Sequence, residues 1–164
     1  MSAPVPTYHA ALCEAVAAGL DAGAAVRVRA RGASMRPLLR DGEDLRIVPL
    51  QAGALRPGDI VLVRTPGGAA LHRVIAVDAQ ASTLRTKGDG SREADGALAL
   101  GAVVGRADAV FRRGGWVRLD TPGRRLLGRI VCTFLSPLPP LRAAARALLR
   151  ARTALKHPTA GKSR

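Results

Sequence analysis

Aromatic residues are nearly absent from this sequence. Its 164 residues include only Tyr8, Phe111, Trp116 and Phe134. Single-strand nucleic-acid binding by base stacking needs aromatic platforms, so that class is excluded. The core must be aliphatic, built from Val, Leu, Ile and Ala. Cysteine is scarce too. Cys13 and Cys132 stand far apart, with no Cys-x-x-Cys pair and no Cys/His cluster. No zinc or iron–sulfur site is expected, no other metal or cofactor is implied, and the two thiols read as small apolar groups rather than a disulfide. Long apolar runs are missing. The nearest candidate, 126–141, is interrupted by Gly128, Arg129, Pro137, Pro139 and Pro140, so no transmembrane helix is expected. The opening residues lack both a basic stretch and an apolar run, and a signal peptide is not expected either.

Acid is what the C-terminal third lacks. Residues 1–111 hold 13 Lys and Arg against 11 Asp and Glu, whereas residues 112–164 hold 13 basic residues and one acid, Asp120. The net charge of +14 is therefore concentrated in the tail. Such a tail seeks anionic company: phospholipid, nucleic acid or an acidic partner. The remainder is ordinary for one globular domain, with 48% apolar and 23% charged residues.

The pattern along the chain is a helix followed by many short strands. Leu12, Val16 and Leu20 recur every four residues and predict a helix over 8–22, with Thr7 as N-cap and Gly23 near its end. Residues 25–31 alternate apolar and charged, as a half-buried strand does. Further strands are predicted at 44–49, 59–64, 69–77, 83–87, 100–106 and 115–120, separated by Gly/Pro turns. This reads as mainly β, a compact barrel or sandwich. Beyond residue 121, Pro137 to Pro140 reads as a linker or helix stop. From 141 a basic amphipathic helix is predicted, with Leu141, Ala145, Leu148 and Leu155 on one face and Arg142, Arg146 and Arg150 on another.

Four pieces of the β region bear chemistry. They are Gly32-Ala-Ser34-Met35-Arg-Pro37-Leu-Leu closing on Asp41-Gly42, then Gly58-Asp59-Ile-Val, then His72-Arg73-Val74, then Thr86-Lys87-Gly88-Asp89 with Asp95 beyond. A serine on a turn, a histidine and two acids are the parts of a nucleophilic site. Taken singly, each has a bland reading. Ser34 is then a turn residue, His72 a strand residue facing solvent, Asp89 a hairpin-turn acid and Asp95 a loop residue.

In this order and spacing the pieces resemble the serine peptidases that comprise type I signal peptidases and LexA-like self-cleaving repressors. Gly32, Ser34, Met35, Pro37, Leu39 and Gly42 match that family's nucleophile box. His72-Arg73-Val74 and Thr86-Lys87-Gly88-Asp89 resemble its histidine-base branch, the endoplasmic-reticulum, archaeal and sporulation type, rather than the lysine-base one. The likeness spans roughly residues 25–106. It implies Ser34 as nucleophile and His72 as general base, with Asp95 the first choice to orient the imidazole and Asp89 the second. Lys87 is the rival base, and the resemblance gives it a structural role. Gly32 cannot supply the hydroxyl that some relatives add to the oxyanion hole, leaving the Ser34 amide for that task. Met35 is expected to pack behind the nucleophile and Pro37 to stiffen the turn. Small residues flanking the scissile bond are implied.

The chain departs from the family at Leu38, where a small hydroxyl residue is usual. No membrane anchor, helix-turn-helix unit or large inserted β domain of the family is expected. The expected organisation is an N-terminal helix (1–24), a signal-peptidase-like catalytic β domain (25–120) and a basic extension (121–164). The resemblance implies a small stand-alone serine endopeptidase that cuts a peptide or leader. The expected location is cytoplasmic, peripheral on the inner face of a membrane that the tail would bind. Two other functions compete: a non-catalytic module holding an extended peptide on the same fold, and a basic nucleic-acid-binding protein, for which charge speaks but no recognition motif does.

Overall fold

The computed structural model describes residues 8–51, 53–65 and 68–135. The expected N-cap at Thr7 and the amphipathic helix from 141 lie outside the described residues. The first element is α1, Tyr8–Asp21, which turns Cys13, Val16 and Leu20 inward. Eight strands follow: β1 Val26–Arg29, β2 Asp44–Val48, β3 Ile60–Thr65, β4 Gly68–Asp78, β5 Thr83–Lys87, β6 Ala97–Ala99, β7 Val103–Arg112 and β8 Gly115–Arg118. They form one antiparallel sheet in the order β1-β2-β7-β3-β4-β5-β6, with β8 pairing the outer half of β7.

The sheet curls into a half-barrel. Irregular register at Arg46/Ile47, Leu62/Val63 and Val74/Ala76 supplies the bends, since a bulge sharpens strand twist. Both faces are covered. Ile60 and Leu62 of β3 face a core shared with Val16 and Leu20 of α1 and with Leu45 and Ile47 of β2. Val61 and Val63 face a second core with Val74 and Leu84. An almost purely aliphatic core is able to do this because β-branched residues suit a pleated surface buried on both sides.

The structure is mainly β with an N-terminal helix, and most strands fall where alternation places them. The expected strand at 100–106 is different. Residues 100–102 form a turn of 3-10 helix, and β7 begins at Val103 and runs on to Arg112. The stretch beyond 106 carries Asp108, a poor strand former. Its carboxylate is gripped at 2.9 and 2.7 Å by Arg46 of the neighbouring β2. The short β6 was missed because Ala97-Leu-Ala99 carries little strand signal.

The first part of the expected extension is helical and packs on the body. A second helix, α2, spans Pro122–Ile130 and continues as a wide π turn through Leu135. Arg125 ties it to the body through the fully buried Asp59 carboxylate at 2.6 Å. No helix among the described residues is long and apolar enough to cross a membrane.

Candidate active site

The site is built on the loop after β1. Gly32 has φ +86°, a conformation open to glycine, and its N–H donates to Asp41 Oδ1 at 2.7 Å. Ala30 N–H donates to Glu43 O, and Gly42 N–H to Ala30 O, so the loop closes on itself. Arg112 staples it from outside, donating to the Leu38 carbonyl while its guanidinium grips Glu43. Within the loop Met35 and Leu39 sink into the core and Ser34 stays exposed. Met35 belongs to the first core cluster, and the Arg36–Pro37 peptide is cis.

A second loop, after β5, lies against this serine. Gly90 N–H donates to Ser34 O at 2.6 Å. A Cβ on Gly88 would stand 2.7 Å from that same carbonyl oxygen and 3.1 Å from Ser34 Cβ. Only a glycine lets the two backbones come this close.

β4 delivers His72, whose side chain is largely buried, and the imidazole meets Asp95. Nδ1 and Asp95 Oδ2 are 2.6 Å apart. Asp95 is itself clamped by Thr86. The Thr86 hydroxyl donates to Oδ2 at 2.5 Å, and Asp95 N–H donates to Thr86 O at 2.8 Å. With Nδ1–H donating to the carboxylate, Nε2 is the lone-pair nitrogen, as a general base requires.

Asp89 goes elsewhere. Its two oxygens accept from Arg73 Nε and Nη2 at 2.6 and 2.7 Å, and Arg73 Nη1 donates to Gly58 O. It makes no hydrogen bond to His72, so the second choice for orienting the imidazole is occupied by the neighbouring arginine. The reason is electrostatic. Arg73 is almost fully buried, and a buried guanidinium needs an ionised partner on its fork. Burial pushes the Asp89 carboxyl up, and Arg73 opposes that rise.

Lys87 is buried at the end of β5, opposite Arg73 in the ladder. Its ammonium has no carboxylate partner among the described residues. Its carbonyl faces the Cys132 thiol. Cys13 and Cys132 are both free and buried. Burial first, then the Asp89 charge, lifts the Cys132 thiol to about 11. Thiol-specific reagents at pH 8 are therefore expected to leave both cysteines untouched in the native protein and to label two thiols in denaturant, a count that absorbance reads directly.

Ser34 Oγ makes no hydrogen bond among the described residues, so it is not joined to His72. The loop after β5 reaches both: its Gly90 N–H donates to Ser34 O and its Asp95 meets His72. Ser34 also lines a groove of about 270 Å³ with Leu12, Leu39, Leu62 and Leu71, whereas His72, the residue after Leu71 in β4, turns to the opposite face of the strand. One wall is β1, the edge strand of the sheet. The other is the start of β4, which pairs with β5 only from Arg73 onward. The Ser34 amide N–H donates to none of the described residues and is free to meet an oxyanion.

No cluster of three or more His, Cys, Asp or Glu among the described residues is placed to hold a metal ion. Comparison with protein-family models, with curated proteins and with solved structures returns no match. The functional reading therefore rests on this geometry and on the sequence pattern. In the sequence Thr86 and Arg73 stand out only as motif context. Thr86 proves to hold the acid that holds the imidazole, and Arg73 to hold Asp89. The signal was that a buried arginine and a buried aspartate each require the other.

Proposed function

We propose that the protein is a serine endopeptidase resembling the histidine-base signal peptidases, acting on an extended peptide or leader segment. The observation that carries this reading is that one loop, after β5, clamps His72 through Asp95 and bonds to the exposed Ser34 through Gly90 N–H. Ser34 Oγ attacks the scissile carbonyl carbon and gives its proton to His72 Nε2. The oxyanion is met by the Ser34 N–H. The imidazolium then protonates the leaving nitrogen as the C–N bond breaks. Water, deprotonated by His72, hydrolyses the acyl ester and frees Ser34. Asp95 holds the imidazole in the required tautomer throughout. Lys87 acts structurally, and no metal or cofactor is needed for these steps.

The same reading places the protein on an anionic membrane surface at the cytoplasmic face. Leu126, Leu127, Ile130 and Phe134 are exposed on the side of α2 away from Arg125 and Gly128. The exposed Arg124 and Arg129 flank them, and the basic tail follows. An apolar ridge between cations is how an interfacial helix meets acidic lipid.

The competing reading is a non-catalytic peptide-binding module, favoured by the missing Ser34–His72 hydrogen bond. Catalytic pairs are often loose before substrate arrives, which removes most of its force. The test incubates the full chain, Ser34→Ala and His72→Ala with a diverse peptide mixture. Vesicles of phosphatidylglycerol or of neutral phosphatidylcholine are added, and mass spectrometry reads the products. Cuts made by the intact protein and by neither variant, increased by the acidic vesicles, are expected. Identical uncut mixtures beside retained peptide binding would establish the binding module.

A further inference from the structure

The groove beside Ser34 carries charge of one sign. Arg27, Arg29, Arg31 and Arg40 all line it, and no carboxylate does among the described residues. In β1 alternation puts Arg27 and Arg29 on one side while Val28 enters the core, and Arg31 follows in the loop just past the buried Ala30. Two of the four cations are already matched. Arg27 and Arg29 both bridge to Asp44, and their hydrogen bonds hold its carboxyl down at about 2. The other nearby acids are also engaged, Asp41 with the Gly32 amide and Glu43 with Arg112. Arg31 and Arg40 are exposed, and neither guanidinium has a carboxylate partner among the described residues.

Resting on the peptidase reading, we propose that the groove selects acidic extended peptides, with Asp or Glu facing Arg31 and Arg40 and apolar side chains on the Leu12, Leu39 and Leu62 floor. The geometry favours this occupant. An edge strand accepts a peptide through its unpaired backbone groups, and alternate side chains of that peptide then share one face. On that face Arg27 and Arg29 stand about 7 Å apart, and Arg31 lies just past the end of the strand on the same groove. A carboxylate there completes the two unmatched guanidiniums by charge-assisted hydrogen bonds. A basic peptide would instead meet the two unmatched like charges of Arg31 and Arg40.

The test uses the full chain carrying Ser34→Ala, which keeps Ser34 Cβ and removes cleavage from the measurement. Three fluorescent decapeptides of alternating pattern are compared at low salt, identical except for Glu, Gln or Lys at alternate positions. The Glu peptide is expected to bind about tenfold tighter than the Gln peptide, with the Lys peptide weakest. Added salt should shrink the difference. Arg31→Gln with Arg40→Gln should abolish it, and Arg31→Glu should turn the preference toward Lys. Both sites are exposed, so these variants are expected to fold.

Equal binding of the Glu and Gln peptides, or a preference unchanged in the double variant, overturns the proposal. So does failure of all three to bind. Binding of a short oligonucleotide as tight as that of the Glu peptide, with the same arginine dependence, overturns it as well, since it would mark an unselective anion surface. Cleavage by the unsubstituted protein is scored separately. A Glu preference in binding without any cleavage would sink the peptidase reading alone, and cleavage without a Glu preference would sink this one alone.

Discussion

Ser34→Ala and His72→Ala are each expected to reduce peptide cleavage to background, and Asp95→Asn to lower kcat by a factor of about 10² to 10⁴. The ranking follows from what each group does. Without Ser34 Oγ no acyl ester forms, and without His72 nothing removes its proton. Asp95 transfers no proton. It accepts the Nδ1–H bond at 2.6 Å and so keeps Nε2 as the basic nitrogen. Asn at 95 offers an amide N–H as readily as its carbonyl, which permits the wrong tautomer. Thr86→Val tests the next link. It removes the hydroxyl that donates to Asp95 Oδ2 while keeping the shape. The expected effect is about tenfold on kcat, with KM nearly unchanged, because Thr86 touches no substrate. The double variant Thr86→Val with Asp95→Asn should lose little beyond Asp95→Asn alone, since both act through one imidazole. Single-turnover cleavage of a common peptide measures the series. An Asp95→Asn variant as fast as the unsubstituted protein would remove Asp95 from the machinery.

Much of this arrangement could be read before folding was considered, and the reasons differ residue by residue. Strands β1 to β5 announce themselves because each buries one or both faces, and Val, Leu and Ile mark those faces. The conjunction of Ser34, His72 and Asp95 was legible as a pattern, though not the partner of each acid. Both Asp89 and Asp95 lie in the loop after β5. Which of them reaches His72 depends on how the Gly88–Gly90 backbone turns against Ser34, a tertiary contact that no local spacing encodes. The docking of α2 was hidden for a similar reason. Residues 122–130 read as part of a basic tail because Arg124, Arg125 and Arg129 dominate them. Only the fold reveals that Arg125 is claimed by a buried Asp59, which makes this stretch a wall of the domain. The charge row in the groove was legible as alternation at 25–31, and the fold adds that it borders Ser34.

The largest loss of stability is expected at the Arg73–Asp89 pair, which links α2 to the serine loop. Asp89→Ala leaves the Arg73 guanidinium buried without its anion, and Arg73→Ala does the same to the carboxylate. Each is expected to cost about 3–5 kcal/mol, lowering Tm by on the order of 10 °C. Replacing both together, Arg73→Met with Asp89→Leu, should cost much less than the sum of the single changes, because no charge is then stranded. Gly128→Ala approaches the pair from the helix side. Its Cβ would lie 2.3 Å from the Arg73 guanidinium, which Asp89 and the Gly58 carbonyl pin in place. The helix must therefore move, at about 1–3 kcal/mol. Thermal unfolding followed by circular dichroism gives these values. Additive losses in the double variant would show that the two charges do not depend on each other. Activity should fall further than folded fraction in Asp89→Ala, because the next residue, Gly90, donates its N–H to Ser34 O and Gly88 on the other side packs closely against Ser34. A pair that never meets the substrate would thus set the position of the nucleophile, and any force that lifts α2 from the body would reach Ser34 by the same route.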